Sequence, residues 1–136
     1  MICLRIHLEV IKAVREVVGE DYPLELRLGA CDYMEGGNTL EDGAEAAKIL
    51  EATGIDILDI TGGMCGTDIK GREKEQGYFY EFSEAIKKAV KIPNILAGGI
   101  RDIETAEELI ASGKADCIGV GRAMIRDADW ARKALA

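Results

Sequence analysis

The chain has 136 residues, 48% of them hydrophobic and 31% charged, a composition that supports one soluble domain with its own core. A closed (β/α)8 barrel needs roughly 250 residues, so a whole barrel is excluded on length. Sixteen glycines against two prolines, with 5% aromatic residues, exclude an immunoglobulin-like sandwich and a disordered or collagen-like chain.

The charge balance is acidic, 17 Lys and Arg against 25 Asp and Glu for a net −8, which disfavours nucleic acid and anionic membrane surfaces as partners. Apolar runs stay far short of the ~20 residues of a membrane span. Met1-Ile2-Cys3-Leu4-Arg5 lacks a secretory apolar region with a small-residue cleavage site, and the expected location is the cytoplasm. Cys3, Cys31, Cys65 and Cys117 show no C-x-x-C spacing, so no metal site is expected and the thiols read as buried or free.

Leu8, Ile11, Val14, Val17 and Val18 recur at helical spacing and predict an amphipathic helix stopped by Gly19. After Pro23, Leu24-Glu25-Leu26-Arg27-Leu28 alternates with period two and reads as a strand ending at Gly29. Asn38-Thr39 before Leu40-Glu41-Asp42 opens a second helix, running to about Thr53 with Gly54 closing it. A second strand spans Ile55 to Ile60, and a long loop, Met64 to about Tyr78, follows Gly62-Gly63, a length typical of functional loops.

A helix from Tyr80 to Val90 carries Phe82, Ile86 and Val90 on one side. Pro93 blocks its continuation, and Ile95-Leu96-Ala97 forms a third strand before Gly98-Gly99. Asp102 caps a helix over Ile103–Ser112, and Asp116 to Val120 makes a fourth strand ending at Gly121-Arg122. A last helix holds Trp130, Ala134 and Leu135. The order α-βα-βα-βα-βα predicts four parallel strands. Period alone admits either a small doubly wound sheet or half a barrel. Glu25 and Arg27 on one strand face favour the barrel mouth, because a central strand of an open sheet is covered by helices on both faces.

Two strand ends carry the chemistry: Leu96-Ala97-Gly98-Gly99-Ile100 and Val120-Gly121-Arg122-Ala123. Glycines just past consecutive strands let backbone N–H groups approach a phosphate, and Arg122 adds a planar cationic fork. Barrel phosphate sites lie after the last two strands. The alternative is that these glycines only make tight turns and Arg122 pairs on the surface.

In chain order, Leu8-Glu9-Val10, Ala13-Val14-Arg15-Glu16, Gly19, Leu26-Arg27-Leu28, Gly54-Ile55-Asp56, Ile86-Lys87-Lys88-Ala89-Val90, Ile92-Pro93, Ala97-Gly98-Gly99-Ile100, Ala115-Asp116, Gly119-Val120-Gly121-Arg122-Ala123 and Asp129-Trp130 form a set that resembles the C-terminal half of the old yellow enzyme family. These are FMN-dependent NAD(P)H:flavin oxidoreductases, including 2,4-dienoyl-CoA reductases. The resemblance covers nearly the whole chain and implies a (β/α)4 half of a TIM-type (β/α)8 barrel with a leading helix. Residues 1–136 would then be one half-barrel domain whose four strands match the fifth to eighth of the family.

The resemblance further implies that Gly98, Gly99, Gly121 and Arg122 hold the FMN phosphate, and that Arg27 lies near N1 and O2 of the isoalloxazine. There a fixed cation stabilises the charge of reduced flavin. An ion pair of Arg27 with Glu25 is the structural alternative.

The family's substrate-anchoring His/Asn or His/His pair, its proton-donating tyrosine and its first-strand flavin contacts precede the matched segment, so no catalytic residue is assigned. His7, at the start of the leading helix, reads as a solvated or packing residue, and Tyr78 and Tyr80 are left without a role. Lys70 to Glu75 reads as a solvated loop, and Lys87, Lys88 and Lys91 favour a helix C-terminus. The iron–sulfur cysteines of the dienoyl-CoA reductase branch have no counterpart here.

The expected function is the FMN-binding half of a flavin-dependent oxidoreductase of the ene-reductase type, inactive alone. Open strand edges and an apolar inner face imply a homo-oligomer or a complementing half-barrel as partner. Two alternatives stand: a non-flavin barrel enzyme or module binding a phosphorylated metabolite, and a non-catalytic truncated product or assembly module.

Overall fold

A computed structural model describes residues 4–63, 71–72 and 74–134. Cys3, Cys65, Lys70, Glu73, Leu135 and most of the loop expected after Gly63 lie outside these residues. The elements are α1 (Arg5–Val18), β1 (Glu25–Gly29), α2 (Leu40–Ala52), β2 (Ile57–Thr61), α3 (Tyr80–Ala89), β3 (Asn94–Leu96), α4 (Ile103–Ala111), β4 (Cys117–Ile118), α5 (Arg122–Arg126) and α6 (Trp130–Ala134).

The strands form one parallel sheet in the order β1-β2-β3-β4. Arg27, Asp59, Ile95 and Cys117 share one row of the register, and Leu28, Ile60, Leu96 and Ile118 share the next. Because side chains alternate along a strand, these rows belong to opposite faces. Leu28, Leu58, Ile60 and Leu96 are buried with Ala46, Ala47 and Leu50 of α2 and Phe82 and Ile86 of α3. The other face carries Glu25, Arg27, Asp59 and Thr61, with Ile57 and Ile95 half-buried beside them. It is mixed in polarity, not the apolar face expected for half a barrel.

Local chemistry accounts for the helix starts. Thr39 and Asp42 form a reciprocal capping box at α2, and the Asp102 side chain accepts from the Thr105 N–H at α4. Arg15 docks α1: its guanidinium donates to the carbonyls of Tyr22 at 2.7 Å and Gly54 at 2.6 Å and to Asp56 Oδ2 at 2.7 Å. His7, in the first turn of α1, is exposed. Lys87 and Lys88 are each paired, with Asp116 and Glu84. Asn94, fully buried, donates to the carbonyl and hydroxyl of Ser83 at 2.8 and 2.9 Å and accepts from the Asp116 N–H.

β2 begins two residues later than expected, at Ile57, and β3 one residue earlier, at Asn94; three differences are larger. α1 begins at Arg5, one turn early. β4 covers two residues instead of five: the Gly119 N–H still donates to the Leu96 carbonyl at 2.8 Å, but the backbone turns at Gly121 into α5. α5 itself was not expected. It is five residues long and buries only Ala123, leaving Met124 and Ile125 exposed, so no apolar period marks it.

Candidate functional site

The carboxyl ends of the strands border a cleft of about 350 Å³, lined by Arg27, Asp59 and Thr61 from β1 and β2, by Tyr78 and Phe79 ahead of α3, and by the segments 97–100 and 119–122 after β3 and β4. All five residues singled out from the sequence, Arg27, Gly98, Gly99, Gly121 and Arg122, line this one cleft. A smaller cleft of about 220 Å³ adjoins it, lined by Gly99, Arg101, Arg122 and Arg126 among others. Three guanidinium groups thus border the glycine turns of a chain whose net charge is −8.

The turn after β3 needs glycine for two reasons. Gly98 and Gly99 have φ of +127° and +68°, backbone that L side chains rarely adopt. A Cβ on Gly99 would also lie 2.7 Å from the Tyr78 ring and 2.9 Å from the Glu75 carbonyl. Gly121 opens α5 with free space where its Cβ would point. Arg122 extends from that same start, and its Nη2 donates to Tyr78 Oη at 3.2 Å.

Arg27 does not pair with Glu25, the alternative that its spacing allowed. It donates from Nη1 to Asp59 Oδ2 at 3.0 Å, across the register from β1 to β2. The Arg27 side chain remains 60% exposed on the cleft, whereas that of Asp59 is only 12% exposed. Asp59 Oδ1 is buried without a hydrogen-bond partner among the described residues. Burial pushes the Asp59 carboxyl above its ordinary range; Arg27 pulls it back and Glu25 adds to the rise.

Sequence reasoning missed Asp59 and left Tyr78 without a role. A lone carboxylate inside Ile57-Leu58-Asp59-Ile60 is a signal for the first. Nothing local marks the second, which reads as an ordinary core aromatic and is indeed buried. Among the described residues no group of His, Cys, Asp and Glu is arranged to hold a metal ion, and no helix is long and apolar enough to cross a membrane. Cys31 is half-buried and Cys117 exposed, both as free thiols.

A family model for the NADH:flavin oxidoreductase / NADH oxidase family matches residues 3–136. The chain belongs to this family. Family members use FMN, with NAD(P)H as electron donor. Over 134 residues the chain is 44% identical to an NADH oxidase of Thermoanaerobacter brockii, covering 96% of this chain and 21% of the relative. It is 35% identical over 127 residues to an NADPH dehydrogenase of Listeria innocua, covering 93% of this chain and 36% of the relative.

Among solved structures, a 2-naphthoyl-CoA reductase in complex with 2-naphthoyl-CoA superposes with a TM-score of 0.87 at 36% identity, over 96% of this chain and 20% of that one. The four parallel strands and their helices are therefore the (β/α)4 part of a TIM-type barrel. The chain spans between about a fifth and a third of the length of the relatives it matches.

The residues present fit the family's cofactor. The glycine turns and Arg122 offer an anion cradle at β3 and β4, Arg27 offers a cation on the same cleft at β1, and Asp59 leaves a buried acceptor between them.

Proposed function

We propose that this chain supplies the FMN-binding C-terminal half-barrel, residues 1–136, of a flavin-dependent NAD(P)H oxidoreductase. The observation that carries the reading is that Arg27, from the first strand, and Gly98, Gly99, Gly121 and Arg122, from the last two, line one cleft although up to 95 positions separate them in sequence. When bound, FMN supplies the capacity to accept hydride and pass it to an acceptor.

The chain's own residues bind and orient. Backbone N–H groups of the glycine turns and the Arg122 fork meet the phosphate. The Arg27 guanidinium, fixed by Asp59 and open to the cleft, places positive charge where reduced flavin is negative. No residue of the chain is assigned to proton donation or substrate anchoring. Hydride transfer to an activated alkene or similar acceptor requires the part of the barrel that this segment does not contain, and the chain alone is inactive. β1 and β4 each present an edge that a second copy or a complementing half-barrel would cover.

FMN titration followed by flavin absorbance and fluorescence tests the reading. Saturable binding is expected, lost in Arg122→Ala and altered mainly in spectrum in Arg27→Ala; equal indifference to both changes sinks it. Binding of a phosphorylated metabolite without flavin would favour a non-flavin module instead.

A further inference from the structure

The strand order sets out what a ligand in the cleft would meet. Arg27 stands on β1, the glycine turns and Arg122 follow β3 and β4, and Asp59 lies on β2 between the two. One oxygen of Asp59 is engaged: Oδ2 accepts from Arg27 at 3.0 Å. The other, Oδ1, is buried and has no partner among the described residues. A buried carboxylate oxygen without a donor is costly to a fold; its neighbours Ile57, Leu58, Ile60 and Ile95 along β2 and β3 carry no side-chain donor, and Thr61, the one hydroxyl of β2 on the same face, makes no hydrogen bond to it.

We propose that Asp59 Oδ1 is the acceptor for a hydroxyl of the flavin's ribityl chain, so that Asp59 is a cofactor-binding residue in its own right and Oδ2 holds Arg27 for the ring. The inference rests on the proposed function. Its chemistry follows from what an orphaned carboxylate can take. Phosphate is excluded, since it brings acceptors and like charge. A donor is required at the position between the ring-facing cation and the phosphate cradle, and the polyol linker of FMN is the part of that molecule that carries neutral O–H donors there. One hydroxyl supplies one proton to one waiting oxygen.

The test is a two-by-two comparison on the full chain. FMN and an isoalloxazine bearing a plain pentyl phosphate chain, which lacks the hydroxyls, are titrated into the unaltered chain, Asp59→Ala and Asp59→Asn, with the folded state of each checked by circular dichroism. Asp59→Ala is expected to weaken FMN binding about tenfold or more, the scale of a hydrogen bond to a charged acceptor. The same change should leave the hydroxyl-free analogue within about twofold. Asp59→Asn keeps a carbonyl acceptor and is expected to retain most of the FMN affinity.

Equal loss for both ligands would mean that Asp59 acts only through Arg27 or through the ring N–H, and overturns the inference, as does no loss for either. Failure of the unaltered chain to bind FMN overturns the proposed function and this inference with it. Binding that is indifferent to Asp59 overturns the inference alone.

Discussion

The hydroxyl of Tyr78 accepts a hydrogen bond from Arg122 Nη2 at 3.2 Å, and the same tyrosine ring sits where Cβ atoms on Gly98 and Gly99 would otherwise project. One buried aromatic therefore holds the guanidinium of one strand end and shapes the glycine turn of the other. Neither link is local in sequence: Tyr78 and Arg122 are 44 positions apart.

This relationship separates two variants. Arg122→Ala removes the cationic fork and is expected to weaken FMN tenfold or more while leaving riboflavin, which lacks the phosphate, nearly unchanged. Tyr78→Phe keeps the ring against the turn and removes the hydroxyl that accepts from Arg122, so FMN affinity should fall by less than about fivefold. Fluorescence titration with both flavins checks the pair; a loss of riboflavin binding in Arg122→Ala would place the arginine elsewhere than at the phosphate.

Gly99→Ala is expected to destabilise the chain by more than Gly113→Ala. Both positions have positive φ, +68° and +74°, so each substitution carries backbone strain of about 1 kcal/mol or more. Only at Gly99 does the new methyl meet the Tyr78 ring and the Glu75 carbonyl within 3 Å; at Gly113 nothing lies within 4 Å. Urea unfolding of the two variants measures the difference, and equal midpoints would contradict it.

Asn94→Ala should cost about 2–3 kcal/mol. It takes the Asn94 side-chain donor from the buried Ser83 carbonyl and hydroxyl, while the Asp116 N–H keeps the Asn94 backbone carbonyl at 3.2 Å, and buried polar groups left unpaired bear their desolvation penalty. Asn94→Asp is expected to be no better, because a buried carboxylate cannot donate to Ser83. Chemical denaturation at neutral pH reads both.

Asp59 and the exposed carboxylates respond to pH in opposite senses. The Asp59 carboxyl is raised in the fold, mainly by burial. The stability contributed by its neutral form is present below its unfolded value of ~3.9 and is lost as pH rises through the folded value. Asp59→Asn should therefore be at least as stable as the unaltered, ligand-free chain at pH 7, with the gap closing toward pH 3. A variant less stable at pH 7 than at pH 3, relative to the unaltered chain, would contradict this.

Asp116, by contrast, is held below the ordinary range, first by its bond to Lys87 and also by the Asn94 N–H. Its contribution is present above the unfolded value and is lost as pH falls through the folded one. Asp116→Asn is expected to flatten the acid limb of a melting-temperature profile between about pH 5 and 2. An unchanged acid limb would assign the loss to other carboxylates.

Much of the architecture is legible in the residues themselves. Gly19, Gly54 and Gly113 close helices where apolar periods end, and Thr39 and Asp102 open them with side-chain oxygens on backbone N–H groups. These signals act over three or four residues, so period and punctuation in the chain suffice to place α2, α3, α4 and the first three strands. α5 escaped because five residues burying one alanine leave no period to read. β4 shortened because the chain turns away at Gly121, a matter of where the next helix lies.

The sequence by itself determined the parallel α/β order, the glycine turns and the two arginines that bear on anion chemistry, because each depends on local backbone and charge. Only the tertiary structure decided which acid holds Arg27. Spacing offered Glu25, two residues away on the same strand, but the parallel register sets Asp59 directly opposite at 3.0 Å. The same packing buried Asp59 Oδ1 without a donor and brought Tyr78 under both glycines. Pairing across strands depends on register and burial, which arise only when distant segments meet.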